Sequence, residues 1–305
     1  MQNARRQLPH SNQHSRKGFH QTMSIEPIAP SSPSIIGLVK DSAAIAPEAL
    51  LARVKAYAAE NDSTELLNED SDGTVFVLKV NDRTFTMFIV PQPVPEEEFF
   101  ATVQKSPKRE SLSRIVKEHQ AHIVMGALSP VAHFGDTVTQ SIFLMKFAAK
   151  MSGLVLMTGL FWLNSQELLD KVDFTTACAR AHDVYMRNQK GEKGAGSGLP
   201  YPYWVSLRLF SDKTDAGPEL IAGRTHGLAA YLGYEVEITF LPRPPAEMME
   251  RLRGVVGYLF ASGPVLQHGH SIGLSADEQF VVSFETTEGQ EAPTAMLRLQ
   301  PARMN

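Results

Sequence analysis

The chain has 305 residues, 43% hydrophobic and 20% charged, an ordinary globular balance with enough length for one core or two modest domains. Its formal charge is −4. The first 22 residues hold Arg5, Arg6, Arg16 and Lys17 and no acid, which leaves 25 basic against 33 acidic residues in the rest. An acidic body opposes the counterion release that drives nucleic-acid binding, so neither DNA nor RNA is an expected partner.

A single cysteine, Cys178, can close no internal disulfide and can supply no CxxC zinc site, which points to a reducing compartment, the cytoplasm. Residues 1–33 read as a disordered basic tail and a Pro/Ser linker, because the stretch has little to bury. Translation from Met23 instead of Met1 is one alternative; a transit peptide, given the Arg and Ser content without acids, is another. The most apolar region, 142–163, is interrupted by Lys146 and Lys150, and its uncharged part falls short of the roughly 20 residues a membrane helix needs. No membrane span is expected.

In chain order, 35–39 reads as a buried strand and 47–59 as a helix with Pro47 in its first turn. Residues 75–80 and 85–90 form a hairpin across Asn81-Asp82-Arg83, and Pro91, Pro93 and Pro95 end that sheet segment. A helix over 111–119 and a strand over 121–128 complete a βαββαβ order, which suggests a ferredoxin-like split unit. Then come a deeply buried helix over 137–151, a strand over 154–163, and a helix capped by Ser165 and running to Met186. The run KGEKGAGSG at 190–198 lacks the GxxxxGK[ST] order of a phosphate loop and reads as a flexible connection.

The second half opens with 201–210 as a strand, Trp204, Ser206, Arg208 and Phe210 alternating against Val205, Leu207 and Leu209. Strands follow at 219–222 and 234–240, a helix at 246–260 stopped by Ser262-Gly263-Pro264, and strands at 280–284 and 295–299. The expected class is α+β: two ferredoxin-like or related α/β-sandwich halves with mixed, mainly antiparallel sheets. The halves span 34–163 and 199–305, joined by a helical and Gly-rich connection over 164–198.

Several phrases of this half occur together and in order: PYPYWVSLRL at 200–209, THGLAAYLGYEVE at 225–237, ASGPVL at 261–266 and HSIGLSADE at 270–278. With AHIVMGAL at 121–128 and the Gly159-Leu160-Phe161-Trp162 strand end, they resemble the bacterial domain-of-unknown-function family 4261 over roughly 34–300. The resemblance implies no activity. By analogy, small acidic families of that kind accompany toxins as immunity proteins.

The densest polar cluster is Arg224, Thr225 and His226 before Gly227, with Glu235 and Glu237 on the following strand. At a period of two the glutamates share one face: buried, they could split their pKa values and act as acid and base, whereas exposed they only solubilise the sheet. The apolar face of Tyr234, Val236 and Ile238 favours the exposed arrangement. His268 and His270 flank one glycine and would need further ligands from elsewhere to hold a metal, so no metal and no cofactor are expected. Cys178 has His182 at i+4, the geometry of a thiol nucleophile, but its small-residue helix suits an inert buried thiol. Tyr201, Tyr203, Trp204 and Phe210 crowd one strand entry and read as core lids or as anchors for a protein partner.

The leading expectation is a non-enzymatic cytoplasmic module that binds a protein partner, a toxin or effector, as an immunity protein does. The alternatives are a hydrolase using Arg224, His226, Glu235 and Glu237, or a structural subunit.

Overall fold

The computed structural model describes residues 27–60, 64–69, 72–192, 198–212, 218–275, 278–286 and 292–300. The tail over 1–26 and positions 193–197 of the glycine-rich connection lie outside them. The described chain is α+β with two mainly antiparallel sheets, of seven and six strands.

The first sheet is built from β1 (Ser34–Val39), β2 (Thr64–Glu69), β3 (Val75–Val80), β4 (Arg83–Val90), β5 (Ala121–Ala127), β6 (Met157–Trp162) and β7 (Glu167–Asp170), in the order β2-β3-β4-β5-β1-β6-β7. In a split βαβ unit, β1 would insert between β4 and β5. Here β4 and β5 pair directly, and β1 gives one edge to β5 and the other to β6. The element order in sequence is close to that of a split unit, but β6 provides a partner from outside the unit that claims the edge of β1.

Helices cover both faces of this sheet. On one side lie α1 (Pro47–Glu60), α4 (Phe134–Leu154) and α5 (Lys171–Gln189). On the other, Phe99 and, from the helices that follow it, α2 (Phe100–Lys105) and α3 (Arg109–Glu118), Val103, Leu112 and Val116 are buried against Ile36, Leu38, Phe161 and Leu168. Asp136 accepts the His133 N–H at 3.0 Å and so starts α4. The helix placed after Ser165 starts later, because 167–170 pairs with β6 as a strand. Asp170 caps α5, accepting the Asp173 N–H at 2.8 Å, while Ser165 is buried and donates to the Tyr203 carbonyl.

The second sheet consists of β8 (Ser206–Asp212), β9 (Leu220–His226), β10 (Glu235–Leu241), β11 (Ser271–Ser275), β12 (Glu278–Glu285) and β13 (Thr294–Leu299), ordered β11-β12-β13-β10-β9-β8. Its inner face packs on α8 (Pro245–Ser262); a Cβ on Gly223 would touch Met248 and Leu252. Residues 201–204, read as part of a strand, instead form the single helical turn α6 (Tyr201–Trp204), and the alternation starts only at Ser206. Between β9 and β10 sits another short turn, α7 (Ala229–Leu232), which packs on α4; the Ser141 and Tyr231 hydroxyls lie 2.8 Å apart. One apolar core runs through both halves.

Two glycines hold the halves at this junction. Gly227 has φ 94°, and a Cβ there would lie 2.7 Å from the Asn164 carbonyl oxygen. Gly233 has φ 79°, and its Cβ would overlap the Ile28 carbonyl, while the Ile28 N–H donates back to the Gly233 carbonyl at 3.0 Å. Both the left-handed backbone and the close approach exclude any side chain.

Candidate functional site

The turn read from sequence as Arg-Thr-His-Gly is the end of β9: Arg224, Thr225 and His226 are still strand, and the chain turns only at Gly227. There the β9–β10 ladder gives way to side-chain bonding. The Val236 N–H donates to Thr225 Oγ1 at 2.8 Å, and the Thr225 hydroxyl donates to Glu235 Oε2 at 2.6 Å. Glu235 Oε1 accepts the N–H groups of Gly227 (2.8 Å) and Ala229 (3.2 Å), and Oε2 that of Leu228 (3.3 Å). The carboxylate thereby takes up the free N–H groups that begin α7.

The exposed arrangement expected for the two glutamates does not occur. Glu235 is buried, and the Glu237 side chain is only 19% exposed. Burial pushes the Glu237 carboxyl upward against the opposing pull of Arg224, whose guanidinium lies 3.9 Å away. Both faces of β10 are covered here, so period-two alternation could not tell them apart.

Arg224, His226 and Glu235 line one cleft of about 600 Å³ on the outer face of the second sheet, together with Arg208, Phe210 and Thr225. Glu237 does not line it; its partner Arg224 also donates to Thr294 Oγ1 at 2.8 Å. Arg208 belongs to β8 and stands directly opposite Arg224 in the strand register. Burial first, then the charges of Arg208, Lys105 and Arg224, push His226 down to about 4, so the imidazole is neutral at pH 7.

That shift carries a sign. Between pH 6.5 and about 4 the unfolded histidine binds a proton that the folded one refuses, so stability falls as pH drops through this window. His226→Gln is expected to flatten the pH dependence of the urea midpoint between pH 6.5 and 4 relative to the parent. An unchanged slope would contradict a neutral His226.

The segment carrying this cleft's β9 and β10 walls, from Arg224 to Leu299, matches the family model described as Domain of unknown function (DUF4261). Residues 224–299 are thus similar to that family. The phrases at 121–128, 159–162 and 200–209 lie outside the matched residues. No curated protein and no solved structure matches the chain. The matched segment holds the end of β9 from Arg224, together with β10 to β13 and α8, whereas Arg208 on β8 and Lys105 on α2, whose charges act on His226, lie outside it.

The other candidate residues are dispersed. Trp204 is completely buried and cannot be a surface anchor; it stacks on Tyr231 at 5.6 Å and donates its indole N–H to Met145 Sδ. Tyr201 stacks on Phe260, and Tyr201 and Tyr203 line a second cleft of about 420 Å³ between the halves, with Lys105, Lys108, Glu167 and Asp173. Of the four aromatics, only Phe210 is exposed, on the outer sheet face beside Arg208. His268 and His270 are exposed, and the described residues hold no group of three or more His, Cys, Asp or Glu able to bind a metal.

Burial pushes the Cys178 thiol up to about 11, so it is protonated at neutral pH and is no nucleophile despite His182. Among the described residues no helix is long and apolar enough to cross a membrane.

Arg208 and Lys105 were missed as site residues. In the sequence Arg208 is one polar position of an alternating strand; only the register with β9 sets it against Arg224.

Proposed function

We propose that this chain is a non-enzymatic binding protein of the cytosol that recognises a protein partner through the outer face of its six-stranded sheet. The observation that carries this reading is the state of Glu235. It lines the cleft beside His226, yet its oxygens are taken by the Thr225 hydroxyl and three backbone N–H groups. A carboxylate held in this way organises a turn and is not available as a general base. A histidine pushed to about 4 is also a weak base at neutral pH, so the groups a hydrolase would use are set for structure and recognition.

In its specific form the partner is a toxin or effector that the chain occludes. The acidic balance outside the first 22 residues supports steering of a basic protein toward the surface. Phe210, 46% exposed beside two arginines, supports an apolar anchor on the contact face.

The test uses the full-length chain as bait at low and high salt, beside Phe210→Glu. Stoichiometric retention of one protein by the parent and its loss with Phe210→Glu is the expected result. Turnover of an ester or phosphoester that His226→Gln abolishes, with no protein retained, would replace this reading with hydrolysis.

A further inference from the structure

Arg208 and Arg224 occupy directly paired positions on adjacent antiparallel strands and line the same cleft. Like charges at such positions repel, and a fold that needed them only for packing would gain by separating them. His226 lies two residues beyond Arg224 on the same strand, opposite Ser206, and Lys105 adds a further positive charge from α2.

Among the described residues, Glu235 holds the 227–229 turn, Glu167 accepts from Thr102 and Ser206, and Glu237 stands 3.9 Å from Arg224 without lining the cleft. Arg208 gives one Nη to the Gln166 amide oxygen at 2.7 Å, but its Nε–H is buried and has no partner among the described residues. A buried donor without an acceptor is costly, and a guanidinium presents its donors as a fork suited to a planar or tetrahedral oxyanion.

We propose that the cleft between Arg208, Arg224 and His226 binds an oxyanion, the carboxylate or phosphoryl group of its ligand. This rests on the binding reading above and adds the chemistry of the group recognised. The anion accepts from the two guanidiniums that line the cleft and offsets the repulsion between them. Its negative charge also favours the imidazolium form of His226 over the effects of Arg208, Arg224 and Lys105. Occupancy therefore raises proton affinity at His226, and acetate binds more tightly as pH falls from 7 toward 5.

The experiment follows the His226 ring resonances of the full chain, assigned with His226→Gln, as sodium acetate or inorganic phosphate is added at constant ionic strength. A saturable shift of His226, with His268 and His270 unmoved, is expected. Arg208→Gln should weaken it about tenfold or more, the loss of a charge-assisted bond. Arg208→Lys, which keeps the charge without the fork, should fall between them and serves as the deciding variant if Arg208→Gln melts early.

Saturation by phosphate alone assigns a phosphoryl ligand, by acetate alone a carboxylate, and by both an unselective oxyanion site. Absence of any saturable shift, or equal binding by the parent and both Arg208 variants, would overturn the proposal. If the bait still retains its partner in that event, only the anion assignment falls; if neither is bound, the binding reading falls with it.

Discussion

Glu235→Ala is expected to lower the unfolding free energy by about 3–5 kcal/mol, the range for removing one partner of a buried charged network. The side chain unites four donors: the Thr225 hydroxyl and the N–H groups of Gly227, Leu228 and Ala229. Alanine leaves the three N–H groups without their acceptor at the point where Gly227 packs against Asn164, so the loss reaches the contact between the two halves. Glu235→Gln keeps one carbonyl acceptor, and the Thr225 hydroxyl can turn toward the Val236 carbonyl, 3.3 Å away, so its cost should be smaller. Urea unfolding followed by circular dichroism measures both. A loss under about 1 kcal/mol for the alanine variant would mean that water or the backbone satisfies the turn and that Glu235 is not its organiser.

This residue also shows what a sequence can and cannot disclose. The period-two pattern places a strand over 234–240, one residue from the observed Glu235–Leu241, and the Ser262-Gly263 stop correctly ends the long helix, since each depends on local geometry. The same pattern puts Glu235 and Glu237 in solvent, because alternation identifies faces and does not say what covers each one. The lid over Glu235 is the 227–229 turn folding back on its own strand, a non-periodic contact. Residues 201–204 misled for a similar reason. Their aromatic, β-prone composition suits a strand, yet burial of Trp204 among Trp162, Tyr231 and Phe260 turns them into a helical turn. Strand order is the least legible level: the pairing of β5 with β4, and of β6 with β1, depends on competition between edges far apart in the chain.

The cleft combines both kinds of information. Its β9 and β10 residues, Arg224, His226 and Glu235, stand out as a polar cluster in the sequence, but their roles are set by partners that it does not show. Arg208 comes from the preceding strand and Lys105 from the other half; their charges add to burial, the larger cause, in keeping His226 neutral, and they make the cleft locally basic on an otherwise acidic body. A basic recess on an acidic protein selects sharply: the long-range field repels diffuse polyanions, while a single oxyanion brought in by a docked partner finds donors at close range.

Trp204→Ala is expected to cost about 3–5 kcal/mol of stability, as truncation of a fully buried large aromatic does. Trp204 is 0% exposed, lies within 6.1 Å, ring to ring, of Trp162, Tyr231 and Phe260, and directs its indole N–H at Met145 Sδ. It therefore joins α4 of the first half to α8 and α7 of the second, and its removal opens a cavity at the centre of the shared core. With two tryptophans in the chain, Trp162 remains as a fluorescence reporter of unfolding in the variant. The outcome separates a core residue from an interface anchor. A core role predicts a lower urea midpoint, with partner retention intact under conditions where the variant is folded. An anchor role predicts an unchanged midpoint and lost retention, the pattern assigned here to Phe210→Glu. Trp204→Phe, which refills much of the volume without the N–H, should recover most of the stability; if it does not, the indole contact to Met145 contributes more than packing does.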